Sequence, residues 1–202
     1  MRYAGHLFTS TGLRVDPTKV IAVEEMPTLS NKASVRRLLG MVNYLSPFVP
    51  QLADMAEPLR ALTKDTYMFQ WESAQQQAWM AIKQAISTAT VLCCFDAAKE
   101  TELHCNASSI GLGAALLQEG QPVAYASRAL TQTEQGCAQL EKELLAVVFG
   151  MQKFRQYVYR RQVMVTSDHK RLETIDAKPL VIAPKRLQRM FLALQEILFT
   201  IR

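Results

Sequence analysis

The sequence predicts a mixed α/β fold: a sheet flanked by helices, preceded by a smaller, mainly helical region. Three observations carry that reading. Apolar residues recur at helical spacing through most of the first part of the chain. After Val91 the period shortens to that of strands broken by turns. Beyond Thr131 helical stripes alternate with a strand-like segment, the pattern of a sheet covered by helices. The expected division is 1–90 for the helical region and 91–202 for the sheet region.

From Gly5 to Val23 the chain is mixed, with Gly12 and Asp16-Pro17 as turn signals. Lys19 to Glu25 reads as a short helix. It ends at Met26-Pro27 because the residue before proline avoids the helical region. Ser30 offers an N-cap for a helix through about Leu45, with Val35, Leu38, Leu39 and Val42 on one face. Pro47 and Pro50 break it. Leu52, Met55, Leu59 and Leu62 mark another helical stretch, and Trp71, Ala74, Ala78, Ala81, Ile82, Ala85 and Ile86 a longer one. Four stretches then read as strands: Leu92 to Phe95, Glu102 to Asn106, Gly113 to Gln118 and Pro122 to Ser127. Thr131 with Glu134 is a capping box. It opens a helix expected over Thr133 to Tyr157, with a stripe of Cys137, Leu140, Leu144, Val148, Met151, Phe154 and Val158. Gln162 to Ser167 reads as a strand, Pro184 to Ile197 as a helix, and Leu198 to Ile201 as the start of a last strand.

An apolar fraction of 49% supplies a core, and 20% charged residues is ordinary for a globular chain of 202 residues. The net charge of +5 is compatible with a polyanionic partner such as nucleic acid, and equally with a merely basic surface. Cys93, Cys94, Cys105 and Cys137 form no CxxC pair and no histidine stands at finger spacing, which argues against a structural zinc site. Isolated thiols read as small apolar strand residues of a reducing compartment, so an intracellular location is the default. No apolar run is long enough to span a bilayer. Neither a Gly-x-Ser-x-Gly elbow nor a phosphate loop is present, which argues against a generic α/β hydrolase.

Three short motifs stand out. Leu103-His104-Cys105-Asn106-Ala107-Ser108 runs into Ile110-Gly111-Leu112-Gly113-Ala114-Ala115, a strand, a glycine-rich turn and a second strand. Glu141-Lys142-Glu143-Leu144-Leu145-Ala146 lies on the long helix, and Val165-Thr166-Ser167-Asp168-His169-Lys170 closes a strand. Glu141 and Glu143 each lie roughly 80° from the centre of the apolar stripe, on opposite edges, so helical geometry does not choose between them. Most helical glutamates are solvated flank residues, and a lone aspartate after a strand is most often a turn residue.

Taken together the motifs resemble the ribonuclease H domain in the polyprotein of gypsy-type LTR retrotransposons. Nearly the whole chain shares the likeness. Gly5-His6-Leu7-Phe8 and Val15-Asp16-Pro17-Thr18-Lys19-Val20 resemble the palm–thumb junction of these reverse transcriptases. Leu38-Leu39-Gly40-Met41-Val42-Asn43-Tyr44, Glu57-Pro58-Leu59 and Phe69-Gln70-Trp71 resemble thumb and connection landmarks. The polymerase palm and fingers have no counterpart here, nor does the family's "NxxADALSR" stretch with its fourth carboxylate, so the domain is expected to be truncated at its C-terminus.

The resemblance implies metal-dependent hydrolysis of the RNA strand of an RNA–DNA hybrid, with Mg²⁺ (or Mn²⁺) as cofactor and Asn106, Glu143 and Asp168 as catalytic and metal-facing positions. It selects Glu143 over Glu141. The family carries aspartate where Asn106 stands. A carboxamide offers a neutral oxygen beside a donor NH₂, which is poorly suited to sit between two dications. Impaired catalysis is therefore expected, and a non-catalytic nucleic-acid- or protein-binding module is the alternative. Arg36, Arg37, Lys170, Arg171, Lys185, Arg186 and Arg189 are the candidate phosphate contacts.

Overall fold

The computed structural model describes residues 1–3, 6–10, 12–27, 29–65, 68–167, 185–195 and 197–201. The chain begins with a small antiparallel sheet: β1 (Arg2–Tyr3), β2 (His6–Thr9) and β3 (Gly12–Val15). The sequence reading saw only turn signals here, because strands of two to four residues are too short for an alternating period to register. Gly12 opens β3 with φ +133°, and any Cβ there would fall on the carbonyl of Leu92. That close approach lets Leu13 and Leu92 exchange both backbone hydrogen bonds, at 2.7 and 2.9 Å.

This bridge also corrects the expected strand at Leu92 to Phe95. Only Leu92 pairs, with Leu13. Cys93 N–H then donates to Pro122 O at 2.8 Å, and Asp96 exchanges hydrogen bonds with the Gln118 side chain. The segment spends its backbone groups as a connector between the two sheets.

Asp16 caps α1 (Pro17–Glu24), its Oδ1 accepting from Thr18 N–H at 3.0 Å. For α2 (Lys32–Tyr44) the cap is Asn31, one residue later than the expected Ser30. Asn31 Oδ1 accepts from Ser34 N–H at 2.8 Å, and Ser34 Oγ accepts from Asn31 N–H at 3.3 Å. A 3₁₀ turn (Ser46–Phe48), α3 (Leu52–Met55), α4 (Glu57–Leu62) and α5 (Ser73–Ser87) follow. Val35, Leu38, Leu59, Ile82 and Ile86, all essentially inaccessible, form one core.

A second core belongs to a five-stranded sheet. β4 (Thr101–Ala107), β5 (Gly111–Gln118) and β6 (Gln121–Ala129) are consecutive and antiparallel, as the sequence predicts. Next come α6 (Gln132–Gln135), α7 (Gln139–Lys153), α8 (Arg155–Val158), β7 (Gln162–Ser167), α9 (Lys185–Leu194) and β8 (Leu198–Ile201). The strand order is β6-β5-β4-β7-β8, with β7 parallel to both β4 and β8. The helix expected over Thr133 to Tyr157 is three helices. It breaks after the capped first turn, at Gly136, and again at Phe154. Leu144, Val147 and Met151 of α7 are fully buried against the sheet, each burial stabilising by about 1.5–3 kcal/mol. Gly150 lets the helix settle closely, since a Cβ there would lie 3.1 Å from Cys105 Sγ and 3.1 Å from Ala114 Cβ.

The capping box at Thr131 carries an electrostatic lock. Arg128 grips Glu134 with both guanidinium nitrogens, at 2.8 and 2.9 Å, while Thr131 N–H donates to the same carboxylate at 2.8 Å. The Arg128 hydrogen bonds outweigh partial burial and hold Glu134 at about 2, below its ordinary 4.5. A depressed acid stabilises the fold above its unfolded value and loses that contribution as pH falls through the folded one. Glu134→Gln is therefore expected to lower the melting temperature at neutral pH. The gap to the native chain should close as pH drops from 4.5 toward 2, read by circular-dichroism melts.

The first region packs on the sheet face opposite α7. Ala53 N–H donates to Ser127 Oγ of β6 at 2.9 Å, and a Cβ on Gly113 of β5 would lie 3.5 Å from Gln51 Cγ. A Cβ on Gly111 would fall on Asp54 Oδ1. No helix among the described residues is long and apolar enough to cross a membrane.

Candidate active site and nucleic-acid interface

The glycine-rich turn sets the geometry of the strand end. Ser108 Oγ accepts from Gly111 N–H at 2.8 Å and from Ile110 N–H at 3.1 Å, while Ser108 N–H donates to Gly111 O at 2.9 Å. The serine after Asn106-Ala107 thus closes the β4–β5 turn by a side-chain-to-backbone motif. Along β4, Leu103, Cys105 and Ala107 are buried under α7, whereas Glu102, His104 and Asn106 alternate onto the other face. Asn106, half-buried and paired with Gly113, lines a cleft of about 230 Å³ with Pro50, Gln51, His104, Tyr125 and Thr166.

Glu143 reaches the same strand end from the α7 side. It is 3% exposed, and Gln139 Nε2 donates to its Oε1 at 2.7 Å and to Ala107 O at 2.8 Å. One glutamine thereby ties the carboxylate to the residue after Asn106. Glu141 points elsewhere: its Oε2 accepts from Ala138 N–H at 3.3 Å, at the start of α7. The Cys105 thiol is pushed well above its ordinary value, first by burial and then by the negative charge of Glu143, so it stays protonated and inert.

The strand preceding Asp168 ends beside this region. Its last described residue, Ser167, is in parallel register with Cys105. Asp168, Lys170 and Arg171 lie outside the described residues. Of the other cations named from sequence, Arg36 is exposed on α2 and spends its guanidinium on Thr63 O at 2.9 Å and Asp65 at 3.3 Å. Arg37 is exposed on the same helix, and Arg186 is half-buried on α9. The structure thus brings Asn106 and Glu143 to one strand end, from opposite faces, and places Arg36 and Arg37 on a different unit of packing.

Sequence reasoning missed three polar neighbours. Gln139 had a readable signal, standing one helical turn before Glu143. Gln51 and Asp54 had none, since only the packing of α3 carries them to the sheet.

Mg²⁺ asks for hard, anionic oxygen donors. Among the described residues no three His, Cys, Asp or Glu side chains form a group able to hold a metal ion. Asn106 contributes a neutral oxygen and Glu143 a single carboxylate already accepting from Gln139. The donors among the described residues, one amide oxygen and one carboxylate, do not by themselves fit a pair of divalent ions.

A five-stranded mixed sheet in this order, with helices flanking it and an acid delivered by the central helix, defines a ribonuclease H-like domain. Comparison with known proteins agrees. Residues 71–165 match the RNase H-like domain found in reverse transcriptase. The chain is 33% identical over 171 residues to the retrovirus-related Pol polyprotein from transposon 297 of Drosophila melanogaster, covering 84% of this chain and 16% of that one. It is 30% identical over 185 residues to the corresponding polyprotein from transposon gypsy of the same fly, covering 85% and 18%. A polyprotein of transposon Tf2-3 from Schizosaccharomyces pombe is 28% identical over 211 residues, covering 100% and 16%. Among solved structures, the foamy viral protease-reverse transcriptase in complex with an RNA/DNA hybrid aligns with a TM-score of 0.82 at 22% identity, covering 100% of this chain and 29% of that one. A form of that enzyme in complex with double-stranded DNA gives 0.83 at 22%, covering 100% and 37%. Residues 71–165 thus belong to the RNase H-like domain family of reverse transcriptases, and Pol polyproteins of transposons such as 297 and gypsy are homologues of the chain. It spans less than a fifth of the length of the polyproteins named here.

Proposed function

We propose that this chain is the connection and ribonuclease H-like portion of a retrotransposon reverse transcriptase, and that it holds an RNA–DNA hybrid while cutting it poorly. Residues 1–90 form the thumb/connection part and residues 91–202 the ribonuclease H-like part, a division favoured by the two separate apolar cores. The observation that carries the reading is Asn106: a carboxamide at the end of β4, next to the residue that Gln139 links to buried Glu143. Glu143 and Asp168 are the remaining acids of the proposed site. If Mg²⁺ or Mn²⁺ binds, Glu143 and Asp168 would supply the charged oxygens and Asn106 only a neutral one, so the ion would be held weakly.

The same donor set favours a second reading, a nucleic-acid- or protein-binding module without hydrolysis. One assay separates them. The full chain is titrated with a labelled RNA–DNA hybrid at several salt concentrations, and cleavage is followed with Mg²⁺. Hybrid binding that weakens as salt rises, with slow cleavage abolished by Glu143→Gln, supports the first reading. Binding without cleavage supports the second. Absence of hybrid binding overturns the first, and rapid cleavage by the native chain overturns the impairment assigned to Asn106.

A further inference from the structure

We infer that the turn between α8 and β7 is a second nucleic-acid contact, a basic-aromatic patch that takes the phosphodiester backbone of a strand at the end of the sheet remote from Asn106. The inference rests on the reading that the chain binds nucleic acid, and it adds a surface that the ribonuclease H resemblance does not assign.

Between Glu143 and Asp168 the sequence holds no acidic residue, yet it holds Lys153, Arg155, Arg160 and Arg161. Three of these cations are set against rings. Tyr159 is 43% exposed, with Arg155 Cζ 5.3 Å and Arg160 Cζ 5.4 Å from its centroid. Arg161 Cζ lies 5.4 Å from the Phe95 ring, and its Nη1 donates to Ala97 O. Among the described residues neither Arg160 nor Arg161 is paired with a carboxylate. The connector carries two acids, Asp96, whose Oδ1 accepts from Ala98 N–H, and Glu100. Resting on the Tyr159 ring orients the planar Arg160 guanidinium outward from the turn, the geometry that suits a phosphate.

The backbone supplies an independent observation. Arg160 has φ 56°, in the left-handed region that favours glycine. The turn is tight, with Arg161 N–H donating to Val158 O at 3.2 Å. The chain thus keeps a long cation where the conformation prefers no side chain, a form of local strain that clusters at functional sites.

Position separates this patch from the Asn106 region. β7 runs parallel to β4, from Val163 beside Thr101 to Ser167 beside Cys105. The turn before Gln162 therefore lies one strand length from Asn106, roughly 20 Å. A strand touching both ends would span about six nucleotides at 3.4 Å each.

The test uses the full chain, a fluorescent single-stranded oligonucleotide and an RNA–DNA hybrid. Arg160→Gly relieves the left-handed backbone, so its melting temperature should equal or exceed the native value. Its affinity for the single strand at physiological salt should nevertheless fall about threefold, and the slope of log affinity against log salt should flatten by about 0.7. Tyr159→Ala should weaken the same binding, because the guanidinium groups lose their support. Unchanged affinity in both variants, with hybrid binding by the native chain intact, overturns this inference alone. No binding of either probe by the native chain overturns it together with the proposed function. Loss of binding to anionic lipid vesicles or polyglutamate, with oligonucleotide affinity unaltered, assigns the patch to another partner and also overturns it.

Discussion

Asn106→Asp is expected to raise magnesium-dependent cleavage of an RNA–DNA hybrid about tenfold, equivalent to roughly 1.4 kcal/mol of barrier. The substitution is nearly isosteric and changes one thing, returning a negative charge to the end of β4, where Glu143 is held through Gln139 and the Ala107 carbonyl. Two dications in close proximity are stabilised chiefly by the carboxylates around them, so metal affinity should rise with the rate. A melting-temperature titration with MgCl₂ supplies a readout apart from turnover. The variant should be stabilised by the ion and the native chain much less. Asn106→Asp combined with Glu143→Gln should lose both gains. A variant that neither binds Mg²⁺ more tightly nor cleaves faster would remove Asn106 as the cause of impairment.

Gly12→Ala is expected to cost roughly 1–3 kcal/mol from backbone strain alone. The φ of +133° is closed to side-chain-bearing residues, and the added methyl would meet the Leu92 carbonyl, a backbone atom that cannot swing aside. Relief requires β3 to part from Leu92, which sacrifices the hydrogen bonds at 2.7 and 2.9 Å. Hydrogen exchange should show early loss of protection at Leu13 and Leu92, with β4, β5 and α7 retaining theirs. Simultaneous loss throughout both cores would mean that the bridge is not a local latch.

The parts of the fold legible in the sequence were those set by local chemistry. The Thr131–Glu134 capping box, the strand at Gln162 to Ser167 and the three antiparallel strands follow from caps, turns and alternation. What escaped was set at long range. Leu92 to Phe95 has strand composition, but its one pairing is with Leu13, far away in sequence. The break at Gly136 was hidden because the apolar stripe continues through Cys137 into Leu140. The cap at Asn31 was misplaced by one residue because Ser30 and Asn31 are both good caps, and only the reciprocal contact with Ser34 distinguishes them. At the strand end, helical spacing left Glu141 and Glu143 equivalent. Burial and the Gln139 hydrogen bond separate them in space.

The contact between Asp54 and Gly111 ties together two positions that share no local sequence context. A methyl group at residue 111 would have to displace the Asp54 carboxylate, which sits at the far end of a short, movable side chain. Drift at these sites is therefore coupled: β5 can accept a side chain at 111 if residue 54 shortens or turns away, and α3 can lengthen its side chain only while residue 111 stays bare. Asp54 and Gly111 line a second cavity of about 130 Å³ that shares Gln51, Asn106 and Gly113 with the cleft, so each such exchange also reshapes the space beside Asn106. Divergence between related chains at residues 54 and 111 therefore alters access to the strand end through the wall opposite it, leaving β4 and α7 untouched.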